Sequence, residues 1–219
     1  MRVDSHEDTE LSSRYSVLMA ARTNQMERTR SAIITAAREL TDAGTEITMP
    51  AIAAAARVSE ATAYRYFPDL VSLLRAAVAV EDQVALLRAA TDGDDDPVTR
   101  IGHAAEILGR SVIRRQGAVR AVVASAIAKP AIAKTRPAQR FALIEHALAP
   151  WIATSGLARH PEIDQLVRDL ALVISAESVF TLTDLCGLAP DDAIASLAAT
   201  ARRTTAAAVR TLSGGARTP

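Results

Sequence analysis

Between Thr48 and Phe67 the chain has room for two short helices and little else. Thr48 is a good N-cap for Met49 to Ala56 and Ser59 for Glu60 to Phe67, because a hydroxyl at that position accepts a free backbone N–H of the first turn. Pro68-Asp69 then breaks the chain. Ile52, Ala53, Ala56, Val58, Ala63 and Phe67 fall at spacings that let both helices bury a shared apolar face, and the small Ala side chains permit close approach. Two short helices joined by a tight turn are a DNA-reading unit, with the second helix available to the major groove.

The rest of the sequence bounds where such a unit can sit. The 219 residues suffice for one large domain or two modest ones, and 49% hydrophobic content supports a true core. With 3% aromatics and abundant Ala and Leu, helix is favoured over sheet. Positive and negative residues balance at 25 each, so any contact with a polyanion must be local. Arg dominates the cations, Lys occurring only at Lys129 and Lys134. Cys186 is the sole cysteine, which excludes an internal disulfide framework and fits a cytoplasmic location. The start of the chain is acidic, and no apolar run approaches the roughly 18 residues of a membrane span.

Helical periodicity extends through most of the chain. The reading is all-α with about nine helices: a flexible N-terminal tail (1–24), a helix-turn-helix DNA-binding domain (25–80), a larger helical body (81–212) and a flexible tail (213–219). The first helix carries Ile33, Ile34, Ala36, Ala37 and Leu40 and stops at Gly44. Asp69 can cap a helix bearing Leu70, Leu73, Leu74, Ala77 and Val78, whose pattern can run to Ala90. Further helices are expected over about 97–115, 117–128, 136–156, 161–186 and 190–212, divided by Gly and Pro.

The residues Ile47-Thr48-Met49-Pro50-Ala51-Ile52-Ala53-Ala54-Ala55-Ala56-Arg57-Val58-Ser59-Glu60-Ala61-Thr62-Ala63-Tyr64-Arg65-Tyr66-Phe67-Pro68 resemble the DNA-binding region of TetR family regulators. The likeness extends from about Arg30 to Leu74. It implies phosphate contacts from Thr62, Tyr64 and Tyr66, base contacts from Glu60, Ala61 and Arg65, and caps at Thr48 and Ser59, with Thr48 also touching the DNA backbone. Three positions depart from the family pattern. Arg57 stands where Gly is usual, in a turn that tends to need a left-handed backbone, and is a candidate for a phosphate contact. Pro50 and Leu70 replace polar or basic residues, and Arg22, Arg28 and Arg30 are alternative sources of phosphate neutralisation.

The same resemblance implies that the C-terminal body binds a small-molecule effector and forms a homodimer through the last two helices, presenting two recognition helices to a double-stranded, pseudo-palindromic operator. From the residues themselves, His103, Phe141, His146, Trp151, Glu177, Ser178 and Phe180 are pocket candidates, since ligand cavities are mainly apolar with few polar groups. Glu177, Ser178 and Asp184 interrupt an apolar stretch and need partners: an effector, an Arg across a dimer interface, or a hydrogen bond inside the core. No metal cluster, cofactor motif or catalytic constellation is evident, and an enzyme is not expected. The reading is a DNA-binding repressor released by an effector. Its alternative is a helical ligand-binding or dimerisation module that has lost sequence-specific DNA binding.

Overall fold

The computed structural model of the protein describes residues 5–45, 47–78, 82–129, 139–157 and 160–215. Every regular element among them is helical. In chain order these are α1 (Ser5–Asp42), α2 (Met49–Ala55), α3 (Glu60–Tyr66), α4 (Leu70–Val78), α5 (Gln83–Ala90), α6 (Pro97–Arg114), α7 (Gln116–Ala128), α8 (Gln139–Ser155), α9 (Pro161–Val173), α10 (Ala176–Phe180), a π-helical turn (Thr181–Leu185) and α11 (Pro190–Gly215). The chain forms two compact units, Met1–Ala77 and Val78–Pro219.

The first unit is built around Ile33, Ala36 and Ala37 of α1, Met49, Ile52 and Ala53 of α2, Ala63 and Phe67 at α3, and Leu73 and Ala77 of α4. Ala56 and Val58, expected in this core, pack against it half-buried. α1 begins at Ser5, upstream of the start near Gln25 that periodicity suggests, because Glu, Leu, Arg, Met and Ala are good helix formers whether or not the helix packs. Residues 19 to 28 are all exposed, and Ile33 is fully buried. Residues 1–4 and 216–219 of the two expected tails lie outside the described residues.

The second unit centres on α6, whose stripe Ile101, Ala104, Ala105, Leu108 and Val112 meets Leu143, Ile144 and Leu148 of α8, Leu166 and Leu170 of α9, and Leu197, Ala198 and Ala201 of α11. Pro150 lies inside α8 and has no N–H to give the carbonyl of His146, four residues earlier. Arg100 fills that place. Its Nη2 donates to His146 O at 3.2 Å, its Nε to Ala147 O at 3.0 Å, and its Nη1 to Thr91 Oγ1 and Asp94 O at 2.8 and 2.9 Å, so a buried guanidinium joins α5, α6 and α8.

Two expected continuities are broken by caps. The pattern running from Leu70 to Ala90 is two helices, because Asp82 accepts the Ala85 N–H and starts α5 afresh; residues 79–81 lie outside the described residues. The single helix expected over 161–186 stops at Val173. Ser175 takes an extended backbone and caps α10 through Ser178 N at 3.1 Å, while the hydroxyls of Ser175 and Ser178 both donate to Leu172 O. The end of this segment winds wider, with Cys186 N bonded to Thr181 O five residues back, and stops at Gly187, whose φ is +67°.

Candidate functional site

The helix pair is framed by the caps that the sequence suggests. Thr48 Oγ1 accepts from Ala51 N at 3.3 Å, and Ser59 Oγ accepts from Thr62 N at 3.2 Å and meets Thr62 Oγ1 at 2.9 Å. Ser59 and Thr62 therefore already bond each other. Between the helices Arg57 adopts φ +56°, the left-handed conformation that favours glycine. Val58 N bonds Ala53 O and Arg57 N bonds Ala54 O, the paired pattern that ends a helix at a left-handed residue.

The departures from the family pattern leave this pair intact. Pro50 lies in the first turn of α2, where no helical N–H is required of it. Leu70 is half-buried and packs against the first unit's core. On α3, Glu60, Ala61, Tyr64 and Arg65 are exposed, Thr62 is half-buried, and Tyr66 packs partly against the core with the Arg65 guanidinium 5.5 Å from its ring centroid. The face that Tyr64 and Arg65 present has no role in the core.

Arg22, Gln25, Met26 and Thr29 of α1 line an open cleft of about 640 Å³ with Val58, Ser59, Thr62, Arg65 and Tyr66. It places two guanidinium-bearing residues beside the capped start of α3, where backbone N–H groups favour an anion. Arg30 instead lies over the Phe67 ring at 5.3 Å.

The residues proposed for effector binding lie on α6, α8 and α10. His103 is 3.9 Å from Glu106, which also accepts from Arg202 at 2.8 Å. Phe141 is 42% exposed, and Trp151 packs half-buried against the core. His146 is half-buried, and burial, with Arg88 and Arg100 nearby, holds its imidazole below the ordinary value. Ser178 is engaged by Ser175 and Leu172. Glu177 Oε2 accepts from Arg140 at 3.4 Å, and Asp184 takes both arms of Arg120, whose guanidinium also lies 4.0 Å above the Phe180 ring. Both acidic groups thus have cationic partners within the chain.

A small cavity lies elsewhere in the second unit. It has a volume of about 80 Å³ and is walled by residues of α5 to α8 with Val78 and Ala176, including Gln83, Ser111, Arg115, Gln139 and Arg140. None of the five polar residues was singled out by sequence. Ser111 and Arg115 continue the i, i+3, i+4 stripe of Ala104 and Leu108, and Gln83 stands one turn before Leu87. Polar residues on buried apolar stripes were the available signal.

A capped helix, tight turn and second helix with an exposed polar face define a helix-turn-helix DNA-binding protein. Residues 33–77 match the family model for bacterial regulatory proteins of the tetR family, a span that runs from Ile33 to Ala77 of this unit's core. Residues 33–77 thus form a DNA-binding domain like that of tetR family regulators. A comparison with curated proteins gave no match.

Proposed function

We propose that this regulator is a repressor that binds a pseudo-palindromic operator as a homodimer and leaves it when a small molecule occupies the second unit. The observation that carries the reading is the exposed face of α3, with Glu60, Ala61, Tyr64 and Arg65 unused by the core and Thr62 at the capped end. Base contacts come from Glu60, Ala61 and Arg65, and phosphate contacts from Thr48, Arg57, Thr62, Tyr64 and Tyr66, with Ser59 fixing the start of the helix. Dimerisation through the C-terminal helices is supported by Leu172 and Leu185, which are 75% and 82% exposed at the end of α9 and in the π turn before α11. A two-fold dimer sets two recognition helices about 34 Å apart, one turn of DNA.

Release requires that the ligand bind a conformation with the wrong head spacing more tightly than the DNA-bound one. Among the described residues no helix is long and apolar enough to cross a membrane, which suits a regulator working on DNA in the cytoplasm. The test is a gel shift with the DNA upstream of the protein's own gene, together with sedimentation of the free protein. A shifted band at low salt carrying an even number of protomers supports the reading. A monomer that leaves this DNA and a random-library pool unshifted overturns it.

A further inference from the structure

We propose that the cleft between α1 and α3 holds one sugar–phosphate strand of the operator, with Arg22 and Gln25 as backbone contacts supplied from outside the helix-turn-helix. The proposal rests on the reading of the first unit as DNA-binding and adds a second surface to it. Residues 19–28 of α1 are exposed, none belongs to the first unit's core, and all precede the span 33–77 shared with tetR family regulators. At about 1.5 Å per residue, this stretch covers roughly 21 Å of helix between Met19 and the fully buried Ile33. One of its faces is nonetheless placed. Arg22, Gln25, Met26 and Thr29, spaced by three and four, line the cleft opposite α3.

The walls carry the guanidinium groups of Arg22 and Arg65 and no carboxylate, in a chain whose charges otherwise balance. Among the described residues neither Arg22 nor Arg65 is in an ion pair. The free hydrogen-bonding capacity is largely that of donors. Thr29 Oγ1 already donates to Gln25 O at 2.9 Å, and Ser59 and Thr62 share one hydroxyl hydrogen at 2.9 Å, which leaves the other to donate outward. The side-chain amide of Gln25 has no partner among the described residues. Cations with surplus O–H and N–H donors recognise phosphate oxygens, and Met26 and Val58 give apolar surface for deoxyribose. Arg65 both lines the cleft and belongs to the exposed face of α3, so the strand whose bases that face reads is the one that passes the cleft. Arg28 does not line it, and Arg30 lies over the Phe67 ring. Of the three arginines that the sequence offers for phosphate neutralisation, the geometry selects Arg22.

The full-length protein can select its DNA from a random-library pool at low salt, and the bound sites can then be mapped by phosphate ethylation and guanine methylation interference. Arg22 is exposed and Ala favours helix, so Arg22→Ala keeps the fold. At least one phosphate per half-site whose ethylation blocks the parent protein should become indifferent in Arg22→Ala, with the guanine pattern unchanged. Affinity should fall about tenfold for each head near 0.1 M salt, and less as salt rises, because each phosphate contact carries about one power of the salt concentration. Gln25→Glu, which sets a carboxylate in the cleft, should weaken binding further than Gln25→Ala. Arg28→Ala removes the same charge from another face of the helix and should keep every phosphate of the parent pattern, with a smaller loss of affinity. An unchanged phosphate pattern in Arg22→Ala overturns the proposal, as do equal losses from Arg22→Ala and Arg28→Ala. An effect of Arg22→Ala confined to sedimentation of the free protein also overturns it and makes the cleft a contact between copies of the chain. Failure of the parent protein to select any DNA removes the DNA-binding reading itself, and the proposal with it.

Discussion

Arg57 ends α2 with the same two backbone hydrogen bonds that Gly44 uses to end α1. Arg57 N to Ala54 O and Val58 N to Ala53 O, at 3.1 and 3.0 Å, match Gly44 N to Thr41 O and Thr45 N to Leu40 O, at 3.2 and 3.4 Å. Both residues sit at positive φ, +56° and +67°. The turn of the helix-turn-helix thus demands a glycine-like backbone from a residue with a Cβ.

That demand sets the first prediction. Arg57→Gly should raise the stability of the first unit by roughly 0.5–1 kcal/mol, the relief of a left-handed Cβ clash less the added chain entropy of Gly. Arg57→Val should lower it, since β-branched residues tolerate this region worst. Denaturant midpoints measure both. If Arg57 also meets a phosphate, Arg57→Gly loses about one unit of salt slope in DNA binding while gaining stability.

The bidentate pair of Arg120 and Asp184, at 2.6 and 2.8 Å, joins α7 to the π turn. The hydrogen bonds from Arg120 and then Thr183 hold the Asp184 carboxyl down to about 2. A folded value below the unfolded one means a contribution present above pH 4 or so and lost as pH falls from there toward 2. Carbon-detected NMR titration should find Asp184 half-protonated near pH 2, and at a clearly higher pH in Arg120→Ala, where Thr183 alone still holds the carboxylate. Both groups are part-exposed, so added salt should weaken the coupling.

The imidazole of His146 acts in the same direction at a higher pH. Burial, then Arg88 and Arg100, keep its pKa below the ordinary 6.5, so the unfolded chain takes up the proton first. Stability should be full above that value and decline as pH falls through 6.5 toward the folded pKa. Melting temperatures between about pH 7.5 and 5.5 should drop less in His146→Gln than in the parent chain. Equal slopes in the two proteins would remove His146 as the cause.

Gly102 and Arg202 should be coupled. A Cβ on Gly102 would overlap the Arg202 guanidinium, which passes across α6 to reach Glu106 at 2.8 Å. Gly to Ala inside a helix ordinarily gains about 1 kcal/mol. Gly102→Ala should show that gain only in the Arg202→Ala background, and a double-mutant cycle should return a coupling of about 1 kcal/mol or more.

What could be read from sequence follows how local the physics is. Thr48, Ser59 and Gly44 act on backbone groups within a turn of themselves, so the helix pair and its caps were legible. Ser175 acts just as locally, yet it sits in an apolar run whose periodicity hides the break. The pairing of Arg100 with the carbonyl that Pro150 frees spans 46 residues and depends on how α6 meets α8. The cavity is further from reach, since Gln83, Arg115 and Gln139 come together only through the packing of separate helices.

The α3 face yields the final prediction, in which two kinds of contact are told apart by their salt dependence. Arg65 is exposed in the last turn of α3 and bears a guanidinium suited to a guanine edge, so Arg65→Ala should cost roughly 1–3 kcal/mol and relax specificity at one base pair per half-site. Arg22 lies across the cleft from Ser59 and Thr62, where a phosphate is the fitting anion. Arg22→Ala should weaken all sequences alike and reduce the slope of log affinity against log salt by about one for each head. Binding to a randomised operator library at several salt concentrations measures both effects at once. A loss of specificity from Arg22→Ala, or an unchanged site preference in Arg65→Ala, would reverse the assignment of Arg65 to bases and of Arg22 to the DNA backbone.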